Sequence, residues 1–243
     1  MSEFVRNYLT QKFPYRHAHQ YTSVNVDYPL LRRIALAYEK SHHSPDDDEV
    51  IESYLAFKQE IVVQFEYMLA EGIKITPWLP SGQPYNSSRD LLRQVAESNR
   101  LHVFLTKNGY GEQEQLSVLS HPMLEETDYV INGQRLCYND VFRAVHDYVG
   151  HYLYQLDFSV LGECQTAFRH METLSEAASK AVFSETAGQI CFFYYGSHLY
   201  DSELSCPSKG NSGYVPLSLR PYAEQKATVL PAILRQRFAK MFK

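Results

Sequence analysis

The stretch FRAVHDYVGH, residues 142–151, sets His146 and His151 five positions apart, with Asp147 after the first imidazole and Gly150 before the second. On a regular helix, positions five apart differ by about 140° in azimuth, whereas positions four apart differ by about 40°. The pair therefore differs from the H-E-x-x-H of zinc proteases, in which both rings share one face. The two rings reach a common ion if it sits over the C-terminal part of the helix or if the helix distorts there. Gly150, with no side chain, lowers the steric cost of such a distortion. Asp147 and His151, four apart, share a regular helical face, so Asp147 is expected to accept the spare ring N–H of His151 and fix its tautomer.

The helix bearing this pair belongs to a predominantly helical stretch from Asn139 to about Phe193, with Asn139 or Asp140 as its cap and a break near Asp157–Gly162. Upstream, DYPLLRRIALAYEKS (27–41) reads as a short amphipathic helix capped by Asp27, and residues 49–73 as a long one. The long helix is expected to bury Ile51, Tyr54, Leu55, Ile61, Phe65 and Met68 and to stop at Gly72. Asp46, Asp47 and Asp48 match the positive end of its dipole better than they suit calcium. Residues 75–90, ITPWLPSGQPYNSSRD, read as a loop leading into a helix. LHVFLT (101–106) alternates as a strand, and Asn-Gly in YVINGQRLCY signals a hairpin. A last helix over residues 224–242 is interrupted by Pro231. The fold class expected is mainly α: one metal-binding catalytic domain over residues 1–243 with a small β-hairpin, residues 1–45 forming a helical extension and 46–243 the core.

The chain's 44% apolar residues suffice for such a core. Net charge is −5 and the 23 basic residues are scattered, so no nucleic-acid partner is expected. No apolar run approaches the length of a membrane span and the first twenty residues lack the pattern of an export signal, so a soluble, cytoplasmic protein is expected. Cys137, Cys164, Cys191 and Cys206 lack the C-x-x-C spacing of a thiolate zinc site, and Cys164 and Cys191 read as small core residues. His17, His19, His42 and His43 read as surface histidines.

Two imidazoles leave an ion short of ligands and negative charge, so a neighbouring helix should supply a carboxylate. Glu185, in the apolar setting FSETAG, is the first candidate, because a bare carboxylate there is costly unless paired or coordinated. Glu163 is the second; it shares a helical stripe with Ala167, His170 and Leu174. Glu163 or His170 would then move protons or steady the ligands. Ala177, Ala178 and Ala181 permit close helix approach. Trp78, Tyr85, Asn86 and Ser88, on an aromatic-bearing loop, are candidates for a substrate pocket. Two histidines and one carboxylate suit non-haem Fe(II) with open positions for dioxygen, and equally a hydrolytic Zn²⁺ with Glu163 as general base. The ligand set alone leaves both metals open, along with a non-catalytic structural ion.

HDYVGH followed by FSETAG resembles the iron-binding pattern of the pterin-dependent aromatic amino acid hydroxylases, with Asp147 at the place of that family's glutamate. The likeness implies a similar catalytic core, with His146, His151 and Glu185 as iron ligands. GQPYNSSRD, NDVFRAVHDYVGH, GECQTAFRHM, ETAGQ and AEQKATVLP together resemble an uncharacterised family frequent in phage and prophage genomes. That second likeness implies that Asn139, Arg143, His146, Asp147, His151, Glu163, His170, Glu185 and Gln189 belong together, with Asn139, Arg143 and Gln189 orienting ligands or substrate. The activity expected from all of this is a non-haem Fe(II) oxygenase that hydroxylates a small molecule or an amino-acid-like group using dioxygen.

Overall fold

The computed structural model describes residues 24–108, 120–200, 209–211 and 213–242. His17, His19 and Cys206 lie outside the described residues. Helix α1, Tyr28–Lys40, starts where the Asp27 carboxylate accepts the Leu30 N–H at 2.9 Å. Helix α2, Asp48–Ala70, starts where Asp47 accepts from the Glu49 and Val50 amides, so one aspartate of the acidic run caps it and Asp48 faces its dipole. Its buried face is Val50, Ser53, Tyr54, Phe57, Ile61, Gln64, Phe65 and Met68. Ile51 and Leu55, expected on that face, are about half exposed. Tyr54, Ile61, Phe65 and Met68 fix the buried stripe, and Ile51 and Leu55 fall to one side of it.

Strand β1, Lys74–Trp78, pairs in parallel with β2, Arg100–Phe104, through the crossover helix α3, Ser88–Ser98. The sequence led us to expect a loop from residue 75; Pro77 conceals the strand. In a two-stranded sheet both members are edges, and an edge tolerates proline because no partner needs its missing N–H. Strands β3, Glu126–Ile131, and β4, Gln134–Cys137, form the expected hairpin. Asn132 (φ 50°) and Gly133 (φ 75°) make its turn with left-handed backbones, which Asn and Gly adopt at least cost.

Helix α4, Tyr138–Val145, is capped by Cys137 rather than by Asn139 or Asp140. The Asp140 carboxylate instead reaches back to accept the Cys137 and Thr106 amides at 3.0 and 2.7 Å, tying the helix start to the end of β2. A π-helical segment, His146–Tyr152, continues α4. After a turn come α5, Val160–Thr173, and α6, Glu176–Phe183, which passes through a second π segment, Ser184–Gly188, into α7, Gln189–Tyr195. Helix α8, Ala232–Lys240, begins after Pro231, and residues 221–231 run without helix, so the proline starts this helix instead of interrupting it.

Helix α2 packs on α6 through Ala178 and Ala181 and on α4, in a core that also takes Leu91, Leu101, Val103, Val141 and Val145. A second apolar cluster joins Leu30, Leu31, Ile34 and Tyr38 of α1 to Ala167, Phe168, Phe183, Cys191 and Phe238. Burying each large apolar side chain contributes about 1.5–3 kcal/mol. The buried face of α1 thus packs into the interior. Cys164 and Cys191 are core residues. Among the described residues, no helix is long and apolar enough to cross a membrane.

Candidate metal centre

Hydrogen bonds from the Leu153 amide to the Tyr148 carbonyl (2.9 Å) and from the Leu156 amide to the His151 carbonyl (3.1 Å) span five residues. A π turn closes over five residues where an α turn closes over four. The spacing that separates the two histidines on a regular helix therefore brings them to one face here, edge to face, with ring centroids 4.8 Å apart and the Nε2 atoms 3.1 Å apart. Gly150 lets the segment approach α5. A Cβ on it would lie 2.3 Å from Thr166 Cγ2 and 3.1 Å from His170 Nε2.

Glu163, in the first turn of α5, completes the group. Its Oε2 lies 3.3 Å from His146 Nε2 and its Oε1 lies 3.5 Å from His151 Nε2, so one carboxylate straddles both imidazoles. Two donors held about 2.1 Å from one ion lie about 3.0 Å apart at right angles and about 3.4 Å apart at the tetrahedral angle. The separations of 3.1 and 3.3 Å fall in that range and the one of 3.5 Å just beyond it, with the two carboxylate oxygens each facing one imidazole, and the donor set suits a divalent first-row ion. His146, His151 and Glu163 are the group of possible ligands that converges among the described residues. The His151 side chain is 1% exposed, whereas those of His146 and Glu163 are 21% and 19% exposed, so solvent reaches the group from one side.

The electrostatics follow from that packing. Burial pushes the Glu163 carboxyl up, but hydrogen bonds and charge from His146 and His151 outweigh it and hold the group well below the ordinary carboxylate range. Burial opposes charge on His151, yet Glu163 more than compensates and its pKa is raised. Burial raises the Asp147 carboxyl against the opposing pull of His146 and His151.

His151 Nδ1 lies 3.1 Å from the Leu156 carbonyl, an acceptor only, which places the ring proton on Nδ1 and leaves the Nε2 lone pair facing Glu163 and His146. The sequence assigned this role to Asp147. In a π turn, four-residue neighbours no longer stack, and the carbonyl that the turn brings round takes the job. No residue pattern announces a backbone acceptor.

Glu185, the first choice for the carboxylate ligand, is buried elsewhere. The Tyr54 hydroxyl donates to its Oε1 at 2.5 Å, Gln189 Nε2 donates to its Oε2 at 2.9 Å, and His121 Nε2 lies 3.3 Å from Oε1. Because the Met123 amide donates to His121 Nδ1, the proton of a neutral His121 sits on Nε2, facing Glu185. The apolar context did require a paired carboxylate, but its partners are side chains. Tyr54 reads in sequence as an apolar-face residue and His121 carries no motif, so neither was anticipated. His43, expected at the surface, stacks on His121 and accepts the Ala227 amide.

The remaining candidates disperse. Gln189 serves Glu185 rather than a substrate. Asn139 Nδ2 donates to Thr106 Oγ1 at 3.0 Å, and Arg143 donates to the Phe104 carbonyl at 3.3 Å, so both fasten α4 to the end of β2. Tyr85 is buried and its oxygen accepts the His102 amide at 2.7 Å. Trp78 donates to the Gly82 carbonyl within its own loop. Ser88 is the first residue of α3, and Asn86 lines a surface depression of about 530 Å³ with Ser87, Arg89, Asp90 and Arg93, which includes none of the three converging residues. His170 is fully buried, its ring stacked on His146 at 5.3 Å and edge-on to Phe142. Burial, with the nearby His146 and His151, pushes its pKa well below the ordinary value, which favours the neutral ring. Comparison with family models, with curated proteins and with solved structures finds no match to this chain.

Proposed function

We propose that this chain is a non-haem Fe(II)-dependent oxygenase that hydroxylates a small molecule or an amino-acid-like group. The observation that carries the proposal is the meeting of two imidazole Nε2 atoms and one straddling carboxylate at 3.1–3.5 Å, with solvent access along one side. Bound there, Fe(II) supplies open coordination positions for dioxygen and one-electron chemistry that side chains lack. His146, His151 and Glu163 hold it, and the low pKa of Glu163 keeps the carboxylate ionised and ready to bind. The Leu156 carbonyl holds the His151 tautomer. Phe142, buried and edge-on to His146 at 5.8 Å, walls the interior side, and the partly buried Phe158 stands edge-on to His151 at 4.8 Å. Substrate then approaches over His146 and Glu163.

The likeness to the aromatic amino acid hydroxylases is proposed for the histidine pair and its helix alone, and kinship with the phage-associated family is proposed on GQPYNSSRD, NDVFRAVHDYVGH, GECQTAFRHM, ETAGQ and AEQKATVLP together. The test is anaerobic purification from iron-supplemented cells, metal analysis, and screening for oxygen-dependent consumption of candidate substrates. Stoichiometric iron that His146→Ala and Glu163→Ala each remove, with oxygen uptake, supports the proposal. Stoichiometric zinc with oxygen-independent cleavage would make the chain a hydrolase.

A further inference from the structure

His170 is 0% exposed, and neither of its ring nitrogens has a hydrogen-bond partner among the described residues. A neutral imidazole always carries one N–H and one lone pair. Burying both without partners costs free energy that packing alone does not return. Three further observations locate what the ring lacks. His170 lies seven residues beyond Glu163 on α5, two helical turns along the same face. Its ring lies nearly parallel to that of His146, with 22° between the planes. Its Nε2 lies close beside Gly150, immediately before His151, where an added Cβ would come within 3.1 Å of it.

We propose that His170 is a fourth protein ligand of the metal centre, which then holds its ion with three imidazoles and one carboxylate. The inference rests on the oxygenase reading of the site and refines it. His170 nitrogens lie outside the 4.8 Å span of the other three donors, so binding requires the ring to swing toward them. Four protein ligands close a tetrahedral zinc shell, whereas an octahedral Fe(II) keeps two positions for dioxygen or substrate. The additional ligand thus favours iron chemistry over zinc hydrolysis. It also gives the buried ring the partner it lacks.

Cu(II)-loaded full-length protein provides the test, because pulsed electron paramagnetic resonance counts coordinated imidazoles without reference to activity. Three imidazoles in the unsubstituted protein, falling to two in His170→Gln, with at least a tenfold loss of affinity, are the expected results. Affinity alone does not decide, since groups next to a ligand also change it by about 10–100-fold. Two imidazoles in the unsubstituted protein overturn the role of His170 and leave the His146, His151 and Glu163 site intact. Should the protein bind no stoichiometric Cu(II), Co(II) or Fe(II), the site reading itself fails and His170 fails with it. If His170→Gln does not fold, the count in the unsubstituted protein decides by itself.

Discussion

Gly150→Ala tests the close approach on which the centre depends. The new methyl would lie 2.3 Å from Thr166 Cγ2, more than an ångström inside the separation of about 3.5–4.0 Å at which carbon atoms attract. Thr166 is fully buried and β-branched on a helix, so it has few rotamers into which to retreat. Overpacking of this kind costs about 1–3 kcal/mol, and a contact this short belongs at the upper end. Replacing glycine by alanine inside a helix returns about 1 kcal/mol. The net expectation is a loss of about 2 kcal/mol, or roughly 4–8 °C in Tm for a chain of this length. Thr166→Ala removes the obstructing methyl and also a hydroxyl that has no partner among the described residues, so alone it should be near neutral. The double variant Gly150→Ala/Thr166→Ala should recover most of the loss, giving a favourable coupling near 2 kcal/mol in a double-mutant cycle. Thermal and urea unfolding supply the free energies. Metal affinity should fall with Gly150→Ala and recover in the double variant, because pushing the π segment off α5 separates His151 from Glu163. An alanine at 150 that raises Tm by the helix-propensity increment, with no coupling to Thr166, would refute the packing argument.

The two glutamates separate cleanly. Glu163→Gln should lower metal affinity at least tenfold, while Glu185→Gln should leave stoichiometry unchanged; metal analysis that gave the reverse would restore Glu185 as the ligand. Tyr54→Phe removes one donor to the buried Glu185 carboxylate and should cost about 1–3 kcal/mol in denaturant unfolding without altering bound metal. In metal-free protein, Glu163 lies below and His151 above its ordinary value. The glutamate's contribution is present above about pH 4.3 and is lost as pH falls; that of the histidine is complete below about pH 6.5 and is lost as pH rises through its raised value. The stability that Glu163 and His151 contribute to the metal-free protein should therefore be greatest between about pH 4.5 and 6.5, with the buried His170, held neutral, opposing it as pH falls below the ordinary histidine value. Metal competes with protons for the same nitrogens, so the increase in Tm on adding metal should grow from pH 5.5 to pH 8, and calorimetry showing a constant increase would contradict the assignment.

Much of the frame was legible because local rules and tertiary packing agree in it. Asp27 and Asp47 announce their helices as caps, Asn132-Gly133 announces its hairpin, and the apolar stripe of α2 is recovered apart from Ile51 and Leu55. Strand β1 was hidden because Pro77 and the Pro- and Gly-rich run beyond it outweigh five residues of alternation. The partners of Asn139 and Arg143 were invisible for a different reason. A polar side chain on a helix near a strand end can fasten backbone or orient a ligand, and spacing along the chain does not distinguish the two.

The principal disagreements arise where helical periodicity itself fails. Counting four residues per face made Asp147 the natural partner of His151 and left His146 on another side. A π turn exchanges those relations, bringing the fifth residue round and turning the fourth away. Glu185 sits in the second such segment, where a donor from α2, another from α7 and the His121 ring surround its carboxylate. Each π segment gives up regular hydrogen-bond geometry and in return points ionisable groups inward at an angle that a regular helix does not offer. Glycines stand at position 150 within the first segment and position 188 at the end of the second, each where a Cβ would collide with a packed neighbour. A local rule broken twice, with close packing at both breaks, is what a chain retains where side-chain direction matters more than helix regularity. It follows that inserting one residue between Asp147 and Gly150 should disrupt metal binding before it disrupts the fold, since the lengthened segment can still reach α5 but no longer presents both imidazoles to Glu163.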